Sequence, residues 1–281
     1  MMPPRPSEPA APAPIGLIAG GGALPIAVVE EAHRRGQQVV CLNVFEADAR
    51  LPQAADAYYA VNPGELSAIL ETLRHHGVRE VLLAGKVDKL PAIRRARLDA
   101  FAEMASRGVR DHRDTSILTA FLGVLQMSGF EVASQTRYLA HLIPAAGILT
   151  PRPPSEAEAA DIETGLRIAA AVARLDIGQA VAVRSGAVIA VEATEGTDEM
   201  IRRAGRLAPQ TVVVKVSRPE QDPRYDLPAV GPDTVRALVE AGATALAVEA
   251  GRTILIDRDQ VIAAAAASGI AITAAVCPPN S

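Results

Sequence analysis

Ile15-Gly-Leu-Ile-Ala-Gly-Gly-Gly-Ala-Leu-Pro25 reads as a short apolar strand, a glycine turn and the opening of a helix that continues from Ile26 to Arg35. Glycine lets the backbone approach a ligand closely, and a helix start offers unpaired N–H groups with partial positive charge. Gly20, Gly21, Gly22, Ala23 and Leu24 are therefore candidates for a phosphate cradle; the alternative is a tight structural turn. With Gly20 and Gly22 in the first two places of G-x-G-x-x-G, the third falls on Pro25, so the dinucleotide fingerprint is not met.

Outward from this stretch, Gln38 to Val44 predicts a second strand, Pro63 to His76 a helix stopped by Gly77, and Val78 to Ala84 a third strand closing on Gly85-Lys86. Alternation of strand and helix implies a parallel sheet with helices on its faces. Lys86 stands at a strand's carboxyl edge, where it can meet a phosphate or simply solvent. His75 and His76 fall in the last turn of a helix, which favours a capping role over a metal site. Leu98 to Ser106 and Thr115 to Met127 read as helices, with Asp114 placed to cap the second. A strand at Phe130 to Ser134 follows, and the proline-rich segment 141–158 reads as an interdomain linker.

The second half opens with an amphipathic helix, Ala159 to Leu175, then a hairpin of Ala180 to Arg184 and Ala187 to Ala193 around Ser185-Gly186. In Glu192-Ala-Thr-Glu-Gly-Thr-Asp198, Thr197 or Asp198 is the expected N-cap of a helix from Glu199 to Arg206, which leaves Glu195 without a structural role. Glu195, Gly196 and Thr197 are taken as ligand contacts. Thr211 to Val216 predicts a buried strand and Pro232 to Ala241 a helix. Between them Lys215 to Gly231 carries Asp222, Arg224 and Asp226, stiffened by Pro219, Pro223 and Pro228. Such a loop beyond a strand's carboxyl end is a ligand site in open α/β sheets, the alternative being a solvated connection. Ala243 to Glu249, Thr253 to Ile256, a helix to Ser268 and a last strand complete the chain.

The expected fold is thus α/β with two α/β domains. Residues 15–140 form a Rossmann-like domain with a mainly parallel sheet, and 159–281 a mixed α/β sheet domain; 1–14, with six prolines, is a disordered tail without the apolar core of a signal peptide. At 49% hydrophobic but 3% aromatic, the core is built from Ala, Val, Ile and Leu. A net charge of −4 with mixed signs is unlike the basic footprint of a nucleic-acid binder. Two cysteines, Cys41 and Cys277, make no paired motif, which fits a reducing cytoplasm.

Four stretches taken together, Gly16 to Pro25, Asp176-Ile-Gly-Gln179, Val191 to Asp198 and Lys215 to Gly231, resemble the LpxI family of UDP-2,3-diacylglucosamine pyrophosphatases from about Ile15 to Val276. The resemblance implies Mg²⁺-dependent hydrolysis of a UDP-linked diacylated glucosamine to UMP and 2,3-diacylglucosamine 1-phosphate in lipid A biosynthesis, with water attacking the β-phosphorus. It also implies a two-domain shape with a cleft between the domains that takes the substrate. Besides the lipid-linked substrate, the expected partners of this cytoplasmic protein are the inner-membrane surface, in transient contact, and a second copy in a homodimer. The family's D-x-R-[FY]-D-x-P pattern puts its catalytic aspartate on Asp226, with Asp222 beside it. Hard carboxylates hold Mg²⁺ through oxygen, so Asp226 and Asp222 are the expected metal pair. Lys215, as a point charge, and Arg224, as a fork, are the expected clamps on phosphate oxygens. Asp226, Asp222 and Lys215 make up the catalytic set. Gly20 to Leu24, Lys86, Asp114, Glu195, Gly196, Thr197 and Arg224 make up the substrate contacts. The chain departs from the family pattern at Thr115, where a second aspartate is usual, and at Leu90-Pro91 after Lys89. An NAD(P)-linked oxidoreductase and a non-catalytic nucleotide–lipid carrier are the competing readings.

Overall fold

A computed structural model of the 281-residue chain describes residues 12–44, 48–85, 114–219, 221–222 and 224–277, with 114–117 by backbone only. It divides into two compact units, Met1–Tyr138 and Leu139–Ser281.

In the first unit β1 (Ile15–Ala19), α1 (Leu24–Arg34), β2 (Val39–Asn43), α2 (Leu51–Ala54), β3 (Ala57–Ala60), α3 (Leu66–His75), β4 (Glu80–Ala84), α4 (Asp114–Met127) and β5 (Glu131–Val132) lead into α5 (Gln135–Leu139). The five strands form one parallel sheet in the order β3-β2-β1-β4-β5, with Ile15 in register with Val39 on one side and Glu80 on the other. All five residues of β1 are buried, which explains why it reads as an unbroken apolar run. The strand order reverses between β1 and β4, and the crevice at their carboxyl ends is where ligands bind in open parallel sheets. β3 and α2 have no counterpart in the sequence reading. Ala-Tyr-Tyr-Ala lies half-buried to exposed on the sheet edge, and a four-residue edge strand has no face clear enough to impose alternation.

The second unit contains β6 (Gly147–Ile148), α6 (Glu156–Arg174), β7 (Ala180–Arg184), β8 (Ala187–Val191), α7 (Thr197–Leu207), β9 (Val212–Lys215), β10 (Ala229–Val230), α8 (Pro232–Glu240), β11 (Ala245–Glu249), β12 (Ile254–Leu255), α9 (Arg258–Ala267) and β13 (Ala271–Ala275). Six strands form a mixed sheet, β6-β13-β11-β9-β7-β8. The β9, β11 and β13 strands are parallel, while β6, β7 and β8 run antiparallel to their neighbours. Side chains alternate across it. Val212 and Val214 pack with Ile162, Leu166 and Ala169 of α6, while Val213 packs with Met200, Ile201 and Ala204 of α7 and with Leu238 of α8. Lys215, two residues beyond Val213, therefore faces the α7 side.

The segment read as a linker, 141–158, is instead stitched to the second unit. Gly147 and Ile148 pair with Ala274 and Thr273, the Ile272 N–H donates to Thr150 Oγ1 at 2.9 Å, and Arg152 donates to Thr244 O at 2.6 Å and Gly269 O at 2.9 Å. Proline density hid this, because a two-residue edge strand leaves prolines free on either side. Ser155 and Glu158 form a capping box, so α6 starts at Glu156 rather than Ala159. Asp114 is already helical rather than capping α4. The helix expected at Leu98 to Ser106 lies outside the described residues.

Candidate active site

The loop leaving β9 supplies the largest group of predicted site residues, and its anchors are local. Val212 to Lys215 is buried throughout, so the first charged side chain of the loop, Lys215, is drawn inside, at 9% exposure. Its ammonium donates to Thr197 Oγ1 at 3.1 Å and to the Ala229 carbonyl at 2.9 Å, bridging the start of α7 and the return strand β10. The Thr197 hydroxyl donates in turn to Glu192 Oε1 at 2.8 Å, and Glu192 Oε2 accepts from the Gln179 N–H at 3.0 Å.

Past Lys215 the backbone is pinned residue by residue. The Ser217 N–H donates to the buried carboxylate of Glu249 at 2.6 Å and the Ser217 hydroxyl to Arg252 O at 3.1 Å; Arg218 N–H reaches Gln221 Oε1 at 3.0 Å. At the far end Ile254 and Ile256 donate to Pro228 O and Val230 O, both at 2.8 Å, through the β10–β12 pairing. A proline-rich connection held at both ends in this way loses little further entropy when it binds a ligand.

Between these anchors, Asp222 accepts from the Arg224 N–H and Nε at 2.9 Å, and the guanidinium holds its carboxyl below the ordinary carboxylate range. The Asp226 N–H donates to the Asp222 carbonyl at 3.1 Å, so the two aspartates of the expected metal pair share one turn, both half-buried. Among the described residues no three His, Cys, Asp or Glu side chains gather as a cation cage. Two carboxylates on one turn nevertheless suit Mg²⁺, which commonly takes one or two carboxylates and fills its octahedron with water and phosphate oxygens.

The remaining predicted contacts divide. Gly196 is the N-cap of α7, with no side-chain cap, and neither Thr197 nor Asp198 caps the helix as expected: Thr197 serves Glu192 and Lys215, and Asp198 accepts from Thr234 at 2.9 Å. Glu195, left without a structural role by the sequence, has one. It accepts from Arg203 and from the Ala193 N–H, and the Arg203 guanidinium holds its carboxyl below the ordinary range. In the first unit Gly20, Gly21 and Gly22 follow β1 at the switch point, Ala23 is the N-cap of α1 without a side-chain cap, and Leu24 is its buried first residue. Gly85 follows β4 beside them. A Cβ there would lie 2.7 Å from Gly20 C and 2.8 Å from the Gly20 and Gly21 oxygens, at a φ of +103°, so glycine is required. Lys86 and Lys89 lie outside the described residues, as do the side chains of Asp114 and Thr115.

Sequence reasoning passed over Glu192, Gln179 and Glu249, which hold the site rather than line it. One signal was available: a Cβ on Gly178 would lie 2.1 Å from Glu192 O, so the glycine of Asp176-Ile-Gly-Gln179 is there to admit Glu192. A second signal is compositional, since only three of the 28 basic residues are lysine, Lys86, Lys89 and Lys215, two following β4 and one ending β9.

Family models described as the LpxI N-terminal domain and the LpxI C-terminal domain match residues 14–142 and 145–273. A curated relative from Caulobacter vibrioides, UDP-2,3-diacylglucosamine pyrophosphatase LpxI, is 35% identical over 269 residues, covering 89% of this chain and 93% of the relative. Two solved structures that match are far more distant. The biotin carboxylase domain of Hydrogenobacter thermophilus 2-oxoglutarate carboxylase is 13% identical, covering 62% of this chain and 35% of that one at a TM-score of 0.26. The Campylobacter jejuni biotin carboxylase is 11% identical, covering 71% and 43% at 0.27. The chain spans less than half the length of either, and likeness at that level carries no argument.

Proposed function

This chain belongs to the LpxI family, and we propose that it is a UDP-2,3-diacylglucosamine pyrophosphatase of lipid A biosynthesis, cleaving its substrate to UMP and 2,3-diacylglucosamine 1-phosphate. Water attacks the β-phosphorus, its oxygen bonds to phosphorus, and the bond from that phosphorus to the bridging oxygen breaks toward UMP. The observation that carries this reading is the ammonium of Lys215, buried at the start of the loop that bears the Asp222–Asp226 turn and hydrogen-bonded to Thr197 and Ala229.

Lys215 steadies the pyrophosphate charge, and Arg224 forks onto phosphate oxygens once it leaves Asp222. Asp226 orients the attacking water or takes its proton. Asp222 and Asp226 would hold Mg²⁺, which when bound neutralises phosphate charge and lowers the barrier to attack. In the first unit, the uncapped N–H groups at the start of α1 and the glycine backbone suit a further phosphate or nucleotide contact. No helix among the described residues is long and apolar enough to cross a membrane. The two acyl chains of the substrate favour a meeting at the membrane surface.

The test is incubation with UDP-diacylglucosamine and Mg²⁺ in ¹⁸O-water. UMP release is expected, with the label in the sugar 1-phosphate and not in UMP. Asp226→Ala is expected to lose roughly a thousandfold or more in turnover while still binding substrate; near-normal turnover by this variant would overturn the assignment.

A further inference from the structure

Thr197 is the first residue of α7, one past the N-cap Gly196, and α7 has no side-chain cap, so its hydroxyl is committed elsewhere. The single proton of this hydroxyl goes to Glu192, and its lone pairs are thereby turned to the Lys215 ammonium. Glu192 is itself rigidly placed. Its backbone N–H donates to Ala180 O at 2.9 Å, its carbonyl packs on Gly178, and its second oxygen accepts from Gln179 N–H. A cation beside a helix N-terminus is electrostatically disfavoured, and a carboxylate one hydroxyl away offsets this.

We propose that Glu192 is a positioning residue that aims Lys215 through Thr197. This rests on the reading of Lys215 as a phosphate clamp. The carboxylate touches neither substrate nor reacting atoms; it fixes the proton of one hydroxyl, and that hydroxyl fixes the direction of the ammonium. If the three act in series, breaking either link has the same effect, and breaking both adds nothing.

The experiment compares Glu192→Gln, Thr197→Val and the double variant, each in the wild-type and Lys215→Met backgrounds, by UMP release from UDP-diacylglucosamine. Each single change is expected to lower kcat/KM by about 10- to 100-fold, the double variant to match Thr197→Val, and Glu192→Gln to cost nothing further once Lys215 is gone. The second readout needs no turnover. With only three lysines in the chain, the ammonium signals of ¹⁵N-lysine-labelled protein are few, and the one lost in Lys215→Met belongs to Lys215. That signal is expected in the wild type and broadened or shifted in both Glu192→Gln and Thr197→Val, the second standing in should the first fail to fold. An unchanged Lys215 signal in a folded variant overturns the proposal, as does a loss of equal size in the Lys215→Met background. Absence of UMP release from the wild type sinks the proposed function instead, and the ammonium spectra then decide the relay alone.

Discussion

Arg224 closes on Asp222 two residues away. Its Nε lies 2.9 Å from each carboxylate oxygen, and its backbone N–H lies 2.9 Å from Oδ1. The two groups therefore neutralise one another, and neither serves as metal ligand or phosphate fork until the pair opens. Arg224→Gln is expected to lower the Mg²⁺ concentration for half-maximal rate severalfold by freeing Asp222, while raising KM about tenfold through the lost fork. A Mg²⁺ titration of initial rates reads both. An unchanged Mg²⁺ requirement would separate Asp222 from the metal.

Gly85→Ala tests the switch point of the first unit. The new methyl would lie 2.7 to 2.8 Å from backbone atoms of Gly20 and Gly21, in a left-handed conformation that side chains rarely adopt. The expected loss is about 1–3 kcal/mol from overpacking and backbone strain together. Urea denaturation of the two proteins, followed by far-UV circular dichroism, measures it.

Acid lability is expected at the root of α6. Burial alone would raise the Glu158 carboxyl, but the Arg152 guanidinium at 2.8 and 3.0 Å and the Ser155 N–H at 2.7 Å outweigh it and bring it to about 2 from an ordinary 4.5. The folded value is depressed, so its stabilisation is complete above the ordinary value and is lost as pH falls from 4.5 toward 2. Arg152 is partly exposed, which screens the pair, and about 1–3 kcal/mol is a fair expectation. Thermal melts should show Glu158→Gln several degrees below wild type at pH 7, the gap narrowing below pH 4.5 and closing as pH approaches 2.

Asp161 is buried in α6 and accepts from Ser185 N–H at 2.8 Å and Gly186 N–H at 2.6 Å, tying the hairpin tip to the helix. Asp161→Ala leaves two backbone donors of a tight turn without their acceptor, at a cost of about 2–4 kcal/mol. Faster hydrogen exchange confined to the β7–β8 hairpin, with UMP release little altered, is the expected signature.

Where periodicity and burial agree, the sequence was readable. β1, α1 and β9 declare themselves through apolar runs, and Ser185-Gly186 through turn chemistry. β3 and β6 did not, since short edge strands have no buried face to impose a pattern. The candidate site was legible as a charged loop after a buried strand. Its internal pairing was not: Asp222 with Arg224, Glu195 with Arg203 and Thr197 with Glu192 depend on which residues the fold brings within 3 Å, and spacing along the chain carries no trace of that. Glu192 was hidden for the same reason, as its role passes through a neighbour.

The direction of β7 has a practical consequence. Ala180, its first residue, pairs with Lys215, and Val183, near its end, pairs with Val212, so the β7–β8 tip stands at the edge of the sheet remote from the charged loop. A five-residue strand spans roughly 15 Å. A fluorophore attached at the exposed Ala187, which leaves the Asp161 contacts of Ser185 and Gly186 in place, would report from a fixed point, giving a ruler against which movement of the Asp222–Asp226 turn on substrate binding can be followed.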